Sequence, residues 1–182
     1  MKGIINKGLQ EMVEAEYGAP AWEAVKERAG CDEPFFALTQ DYPDESTVSL
    51  IKAAAEHTGL SPSAVMIAYG TWLVPNTLKR QYPTLFALAG RSAREVLLNM
   101  NQVHEQATRS IRDAVPPRFE FEELPDGRLL IHYDSTRRLC PVLHGLILGL
   151  GRYFDTPLDV RELACMHQGD DRCSMEVTFS EA

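Results

Sequence analysis

The hydrophobic period of this chain changes once, and that change constrains the fold more than any other feature. Up to residue 114 the apolar residues recur at helical spacing, and beyond the Pro116–Pro117 pair they alternate. A stretch with one period cannot bury its apolar side in the geometry of the other. The chain is therefore expected to be α+β, with helices first and an antiparallel sheet after them. "GIINKGLQEMV" places Ile4, Leu9, Met12 and Val13 near one stripe, and "PAWEAVKERAG" forms a second helix ending at Gly30. "DESTVSLIKAAAEHTG" begins acidic and ends in glycine, as a helix dipole and a C-cap prefer. "SPSAVMIAYGTWLVPNTLKR" has Ser61 as N-cap and Pro62 in the first turn, and Pro75 is expected to kink or split it. "GRSAREVLLNMNQVHEQATRSIRDAV" opens on the capping box Ser92-x-x-Glu95 and is expected to run as one helix to residue 114.

In the second half, "RFEFEEL" and "RLLIHYD" alternate around the turn "PDG", which gives a hairpin over 118–134. A helix, "CPVLHGLILGLGRYF", comes next, followed by strands in "PLDVRELACMH" and "CSMEVTF" around "QGDD". The expected organisation is one domain over 1–182, with a helical lobe at 1–114 and a ββαββ lobe at 115–182. A chain of 182 residues can bury roughly 70% of its unfolded surface, so a core needs no covalent staples.

The net charge of −8 argues against a nucleic-acid binder and against docking on anionic lipid. No apolar run approaches the roughly 20 residues of a spanning helix. Acidic residues interrupt the first eighteen positions, which do not resemble a secretion signal. The expected location is the cytoplasm, where Cys31, Cys140, Cys165 and Cys173 are reduced thiols or metal ligands.

Within the long helical segment Leu97, Met100, His104, Ala107 and Ile111 recur at spacings of 3, 4, 3 and 4. His104 thus sits in the middle of an apolar face, where an unpaired imidazole would cost a few kcal/mol. Two readings compete: a core histidine bonded to a carbonyl, or a ligand facing a cavity. Elsewhere "YDSTRR" concentrates donors at the mouth of an apolar helix. In extended chain Tyr133, Ser135 and Arg137 share one face, and two hydroxyls with a guanidinium suit a carboxylate. A cavity-facing histidine and a carboxylate clamp are what haem requires: an imidazole for iron, apolar walls, and partners for two propionates.

The residues carrying these readings resemble the H-NOX (haem–nitric oxide/oxygen binding) domains, bacterial relatives of the haem domain of soluble guanylate cyclase. "MKGII", "NQVHEQ", the prolines at 116–117, "YDSTR" and "GLILGLGRYF" spread the resemblance over nearly the whole chain. It implies the H-NOX fold, with haem b between the lobes. It implies His104 as the axial iron ligand and Tyr133, Ser135 and Arg137 as the propionate clamp. Ile5 and Pro117 match positions that bend the porphyrin. Oxygen-holding members present a distal hydroxyl where this chain has Val142, and the other distal positions correspond to Leu9 and Leu73. Bound oxygen needs a donor; nitric oxide and carbon monoxide do not. The expectation is a nitric-oxide-selective sensor, with an oxygen-binding protein of the same fold as alternative. Tyr69, Thr71 and His144 are read as packing or surface residues, and His144 is also the rival axial ligand. The family implies that nitric oxide weakens the His104–iron bond, frees that helix and shifts the lobes. With no length left for an effector, the expected output is in trans, to a histidine kinase or a cyclic-di-GMP cyclase or phosphodiesterase.

"CMHQGDDRC" brings Cys165 and Cys173 together across a hairpin, and Cys140 is a candidate third ligand for a tetrahedral zinc. Some H-NOX proteins resemble this with a histidine three residues before the first hairpin cysteine. Here that position is Glu162, so Glu162 and His167 are the two candidates for the fourth ligand, and three unligated thiols are the alternative. A zinc and thiol redox-sensing domain is then a further functional reading. No distal histidine–arginine pair points to peroxidase-like or nitrite-reducing turnover, and a non-enzymatic binding module is expected. A haem-free, zinc-dependent small-molecule domain is the remaining competitor.

Overall fold

A computed structural model describes residues 1–109 and 115–180. Helices α1 (Gly3–Tyr17), α2 (Ala19–Ala29), α3 (Asp44–Thr58) and α4 (Pro62–Leu73) lie where the period places them. The Ser61 hydroxyl caps α4 by accepting from the Ala64 amide at 3.1 Å. Pro75 has no N–H to give, and the helix accommodates it by widening into a π-turn over Val74–Leu78. It then tightens into α5 (Lys79–Gln81). A short helix absent from the sequence reading, α6 (Pro83–Ala89), follows.

The expected single helix from Ser92 to residue 114 is not formed. It is broken into α7 (Ala93–Leu98) and α8 (Met100–Thr108) at Asn99, whose φ and ψ are −91° and 5°. The Asn99 side chain donates to the Ala89 carbonyl at 2.8 Å, a tertiary bond that outweighs helix continuation. The expected stripe therefore does not hold as one face: Leu97 is buried, Met100 and His104 are half-buried, and Ala107 is exposed. Ile111 lies outside the described residues.

The second half forms ββαββ as expected: β1 (Arg118–Glu123), β2 (Leu129–Asp134), α9 (Cys140–Tyr153), β3 (Leu158–Ala164) and β4 (Cys173–Phe179). The strands make an antiparallel sheet in the order β1-β2-β4-β3. Phe119 pairs with Tyr133, and Tyr133 with Cys173, so these three form one row across the sheet.

Two apolar cores result. One holds α1–α4 together with Val142, and the other holds the sheet, most of α9, and Ala93, Val96 and Leu97 of α7. Packing therefore joins α7 to the sheet, although both α7 and α8 fall inside the 1–114 lobe drawn from secondary structure. Leu78 and Leu146 touch both cores and mark the seam. Across it α9 crosses α4 at backbone contact. A Cβ on Gly145 would stand 2.2 Å from the Ile67 carbonyl oxygen, and one on Gly70 would stand 2.4 Å from that of Val142. Gly145 and Gly149 of α9 thus serve its approach to α4.

Candidate functional site

His104 makes the carbonyl bond of the first sequence reading and keeps a second ring nitrogen that a ligand could use. Its Nδ1 lies 2.8 Å from the Met100 carbonyl oxygen. A carbonyl only accepts, so Nδ1 carries the proton and Nε2 keeps a lone pair. The ring packs against Phe119 with centroids 5.4 Å apart. Burial lowers its pKa, partly offset by the Met100 bond, and so favours the neutral form a metal needs. His144, the rival, senses instead the carboxylates of Glu162 and Asp159 on the β3 side; burial lowers its pKa and these two oppose the shift.

The clamp residues come together, though not on a strand face. β2 ends at Asp134, and Ser135–Arg138 form a turn closed by the Arg138 amide donating to the Ser135 carbonyl at 3.0 Å. The expectation of an extended Tyr-x-Ser-x-Arg face is therefore corrected: the pleat delivers Tyr133 and the turn delivers the other two. Tyr133 is buried. Burial raises its pKa, and its hydroxyl lies against Ser135 and the Leu139 backbone. Arg137 donates from Nε to Asp44 at 2.7 Å and from Nη1 to the Val115 carbonyl at 3.1 Å. Asp44 also accepts from the N-terminal ammonium at 2.7 Å. Burial pushes the Asp44 carboxyl up, but the ammonium and Arg137 more than reverse this and hold it below its usual range. Asp44 escaped the sequence reading because an acidic first turn is explained by the helix dipole alone.

Leu9, Leu73 and Val142 are buried in one cluster, with Ile5 packed against it. The hydroxyls near them are committed: Tyr69 donates to the Ile5 carbonyl at 2.9 Å and Thr71 to that of Ile67 at 2.8 Å. Pro117 is half-buried immediately before β1. A neutral imidazole with a free Nε2, donors for acid groups and an apolar cluster on the opposite core are a donor set that fits haem.

The thiols of Cys140, Cys165 and Cys173 are buried and lie within 4.8 Å of one another. Burial, with the neighbouring thiols, pushes the Cys140 pKa up; burial also raises that of Cys165. Three adjacent buried thiolates are unfavourable unless a cation compensates them. Glu162 is exposed, accepts from Gln168 Nε2 at 3.4 Å, and lies outside the group of side chains within 4.8 Å of one another. The other candidate, His167, has its Nε2 taken by the Arg138 carbonyl at 2.8 Å. Three soft thiolates are a donor set of the kind zinc takes. Cys31 stands apart, half-buried against the helical core.

The comparisons agree with this geometry. A family model described as Haem-NO-binding matches residues 2–162. Soluble guanylate cyclase gcy-32 of Caenorhabditis elegans is 26% identical over 153 residues, 82% of this chain but 22% of that protein. The chain therefore spans about a fifth of that relative's length. An H-NOX protein from S. oneidensis solved in the Fe(II)NO state is 22% identical, covers both chains fully and superposes with a TM-score of 0.90. An oxygen-binding H-NOX domain related to soluble guanylate cyclases, solved as its oxygen complex, is 23% identical with a TM-score of 0.84, covering 100% of this chain and 96% of that one. The chain has the H-NOX fold and belongs to the Haem-NO-binding family.

Proposed function

We propose that this domain is a nitric-oxide-selective haem sensor, a binding module and not an enzyme, with carbon monoxide as a second ligand. The observation that carries the proposal is His104, its Nδ1 anchored to Met100, its ring against Phe119 of the sheet, and its Nε2 without a hydrogen-bond partner among the described residues. Haem b, when bound, would supply a ferrous iron for which His104 is the protein ligand and which binds a diatomic gas. Tyr133, Ser135 and Arg137 hold the propionates by hydrogen bonds and charge. Ile5 and Pro117 press on the porphyrin. Leu9, Leu73 and Val142 exclude water and offer no donor to a gas. This favours nitric oxide and carbon monoxide, which bind without one, over oxygen.

Absorption spectra of the hemin-reconstituted protein, before and after dithionite and nitric oxide, test this. The expected result is a ferrous spectrum stable in air without an oxygen complex, and loss of imidazole ligation in His104→Gly. A colourless protein that refuses hemin would overturn the reading. An oxygen-holding pocket is the second reading, and one observation favours it: the buried Trp72 Nε1–H has no partner among the described residues. An oxygen complex lost in Trp72→Phe would establish it.

Release or retention of His104 biases α8, and a gas acts by binding one arrangement more tightly than the other. The relatives, named as guanylate cyclases, contain this domain in about a fifth of their length, which supports a signalling output. For this chain we take the output to be a histidine kinase or a cyclic-di-GMP enzyme in the cytoplasm. Co-purification that finds neither, with unchanged kinase or cyclase activity under nitric oxide, would refute that. We assign zinc to Cys140, Cys165 and Cys173, with Glu162 and His167 as the two candidates for the fourth ligand. Metal analysis of protein purified under reducing conditions should find one zinc per chain, and its absence removes the assignment.

A further inference from the structure

The clamp and the thiol cluster share one strip of chain, and a single side chain closes that strip into a loop. Tyr133 and Cys173 face each other across β2 and β4, and Cys140 follows Arg137 by three positions. Between them Arg138 has φ of 50°, a left-handed conformation that an arginine keeps only when its surroundings hold it there. Its carbonyl oxygen accepts the His167 Nε2–H at 2.8 Å, and the Cys140 thiol points at the same oxygen from 3.8 Å. His167 sits in the 3-10 turn Met166–Gln168, just after Cys165. That turn is fixed in its own right. The Gln168 amide donates to the Cys165 carbonyl at 2.8 Å, and the Asp170 carboxylate accepts from the Cys165 amide at 2.7 Å. The hairpin carrying two thiols thus holds the turn carrying Ser135 and Arg137.

We propose that His167 is a positioning residue that links the two sites, so that zinc at Cys140, Cys165 and Cys173 strengthens the clamp's grip on haem. The inference rests on the haem and zinc reading above. A metal joining the hairpin to the first residue of α9 fixes both ends of the strip. His167 is then held against Arg138, Arg138 stays left-handed, and the Ser135–Arg137 turn keeps the conformation that presents its donors. Without that restraint Arg138 relaxes toward negative φ, and the peptide joining it to Arg137 rotates. The coupling is reciprocal: bound haem must retain zinc by the same factor. The row Phe119–Tyr133–Cys173 adds a second connection through packing, so loss of His167 weakens the coupling without abolishing it.

The test is haem loss to excess apomyoglobin, followed by absorbance, from the full chain under anaerobic reductant, zinc-loaded or stripped by chelator. Zinc should slow loss about fivefold or more in the wild-type chain, at the lower end of ordinary coupling. His167→Ala should reduce that ratio to about twofold or less, and His167→Gln, whose side-chain amide N–H reaches to where Nε2 stands, should restore part of it. Circular dichroism checks that each variant is folded. Equal rates with and without zinc overturn the proposal, as does a His167→Ala ratio equal to that of the wild type. A haem-replete chain that takes up no zinc also overturns it and leaves the haem reading standing. A chain that refuses hemin fails at the earlier reading instead.

Discussion

Replacing Gly145 with alanine isolates how much the seam between the cores depends on backbone contact. The added methyl would stand 2.2 Å from the Ile67 carbonyl oxygen and 2.9 Å from the Gly70 Cα. Neither atom is the far end of a flexible side chain, so α4 and α9 must separate by about 1 Å to restore ordinary contact. Overpacking of this kind costs about 1–3 kcal/mol, and rigid neighbours on both sides put Gly145→Ala at the upper end. Alanine returns about 1 kcal/mol of helix propensity, leaving a net loss of about 2 kcal/mol. For a domain this size that is a fall of about 4–8 °C in Tm. Gly149→Ala is the internal control. Its methyl would meet the Thr71 and Gly70 carbonyls at 3.0 and 3.1 Å, contacts relieved by a few tenths of an ångström. There the propensity gain and the crowding nearly cancel, and Tm should move by about 2 °C or less. Thermal melts of both variants, with hemin loaded, check the order. A Gly145→Ala protein as stable as wild type, or less affected than Gly149→Ala, would refute the reasoning. Because α4 carries Leu73 and α9 carries Val142, the carbon monoxide stretching frequency should shift in the first variant and stay in the second.

Val142→Tyr supplies a donor beside the gas; a hydrogen bond to a partly charged partner contributes about 1.5–3 kcal/mol, so oxygen retention should rise roughly tenfold to a hundredfold by stopped-flow spectroscopy. Asp44→Asn removes the bond partner shared by the N-terminal ammonium and Arg137; for an ion pair partly open to solvent this costs about 1 kcal/mol by urea midpoint, and less in high salt. The pH dependence of stability follows from two depressed pKa values. His104 is held below its ordinary 6.5, so its stability contribution is complete above that pH and declines as the pH falls from 6.5 through the folded value. Asp44 is held below 3.8, and its contribution is lost in the same sense below that pH. Urea midpoints measured for haem-free protein between pH 8 and pH 3 should fall in these two windows, and His104→Gly should remove the first.

The ββαββ half was legible because strict alternation and turn residues have few alternatives, and each strand begins within two residues of its expected position. The helical half was legible in kind but not in its breaks. Pro75 announced an interruption; Asn99 did not, since its bond to the Ala89 carbonyl is a tertiary fact with no local signature. "PTLFALA" is too short between Pro83 and Gly90 to show a period. At the site, His104 stood out by its incongruity on an apolar face; hairpin spacing brought Cys165 and Cys173 together, and Cys140 joined them only as a candidate at the start of the next helix, where the structure places its thiol beside theirs. Arg137's bond to Asp44 spans 93 positions and leaves no trace in either segment. The strand-face argument for the clamp put Ser135 and Arg137 on a strand where the chain has a turn, because periodicity cannot tell where a strand gives way to a turn.

The helix that carries His104 has a mechanical character of its own. None of the nine residues of α8 is buried, and near its start the Asn101 amide exchanges two bonds with the Phe119 backbone, at 2.8 and 3.1 Å. Among the described residues, α8 meets the core through that amide pair, the partly buried Met100 and Val103, and the His104 ring on Phe119, a light attachment near its first turns that behaves as a pivot. If Nε2 held an iron as proposed above, tension there would compete with about as much free energy as these few contacts supply, and the nine residues of α8 would follow a modest change in one bond length.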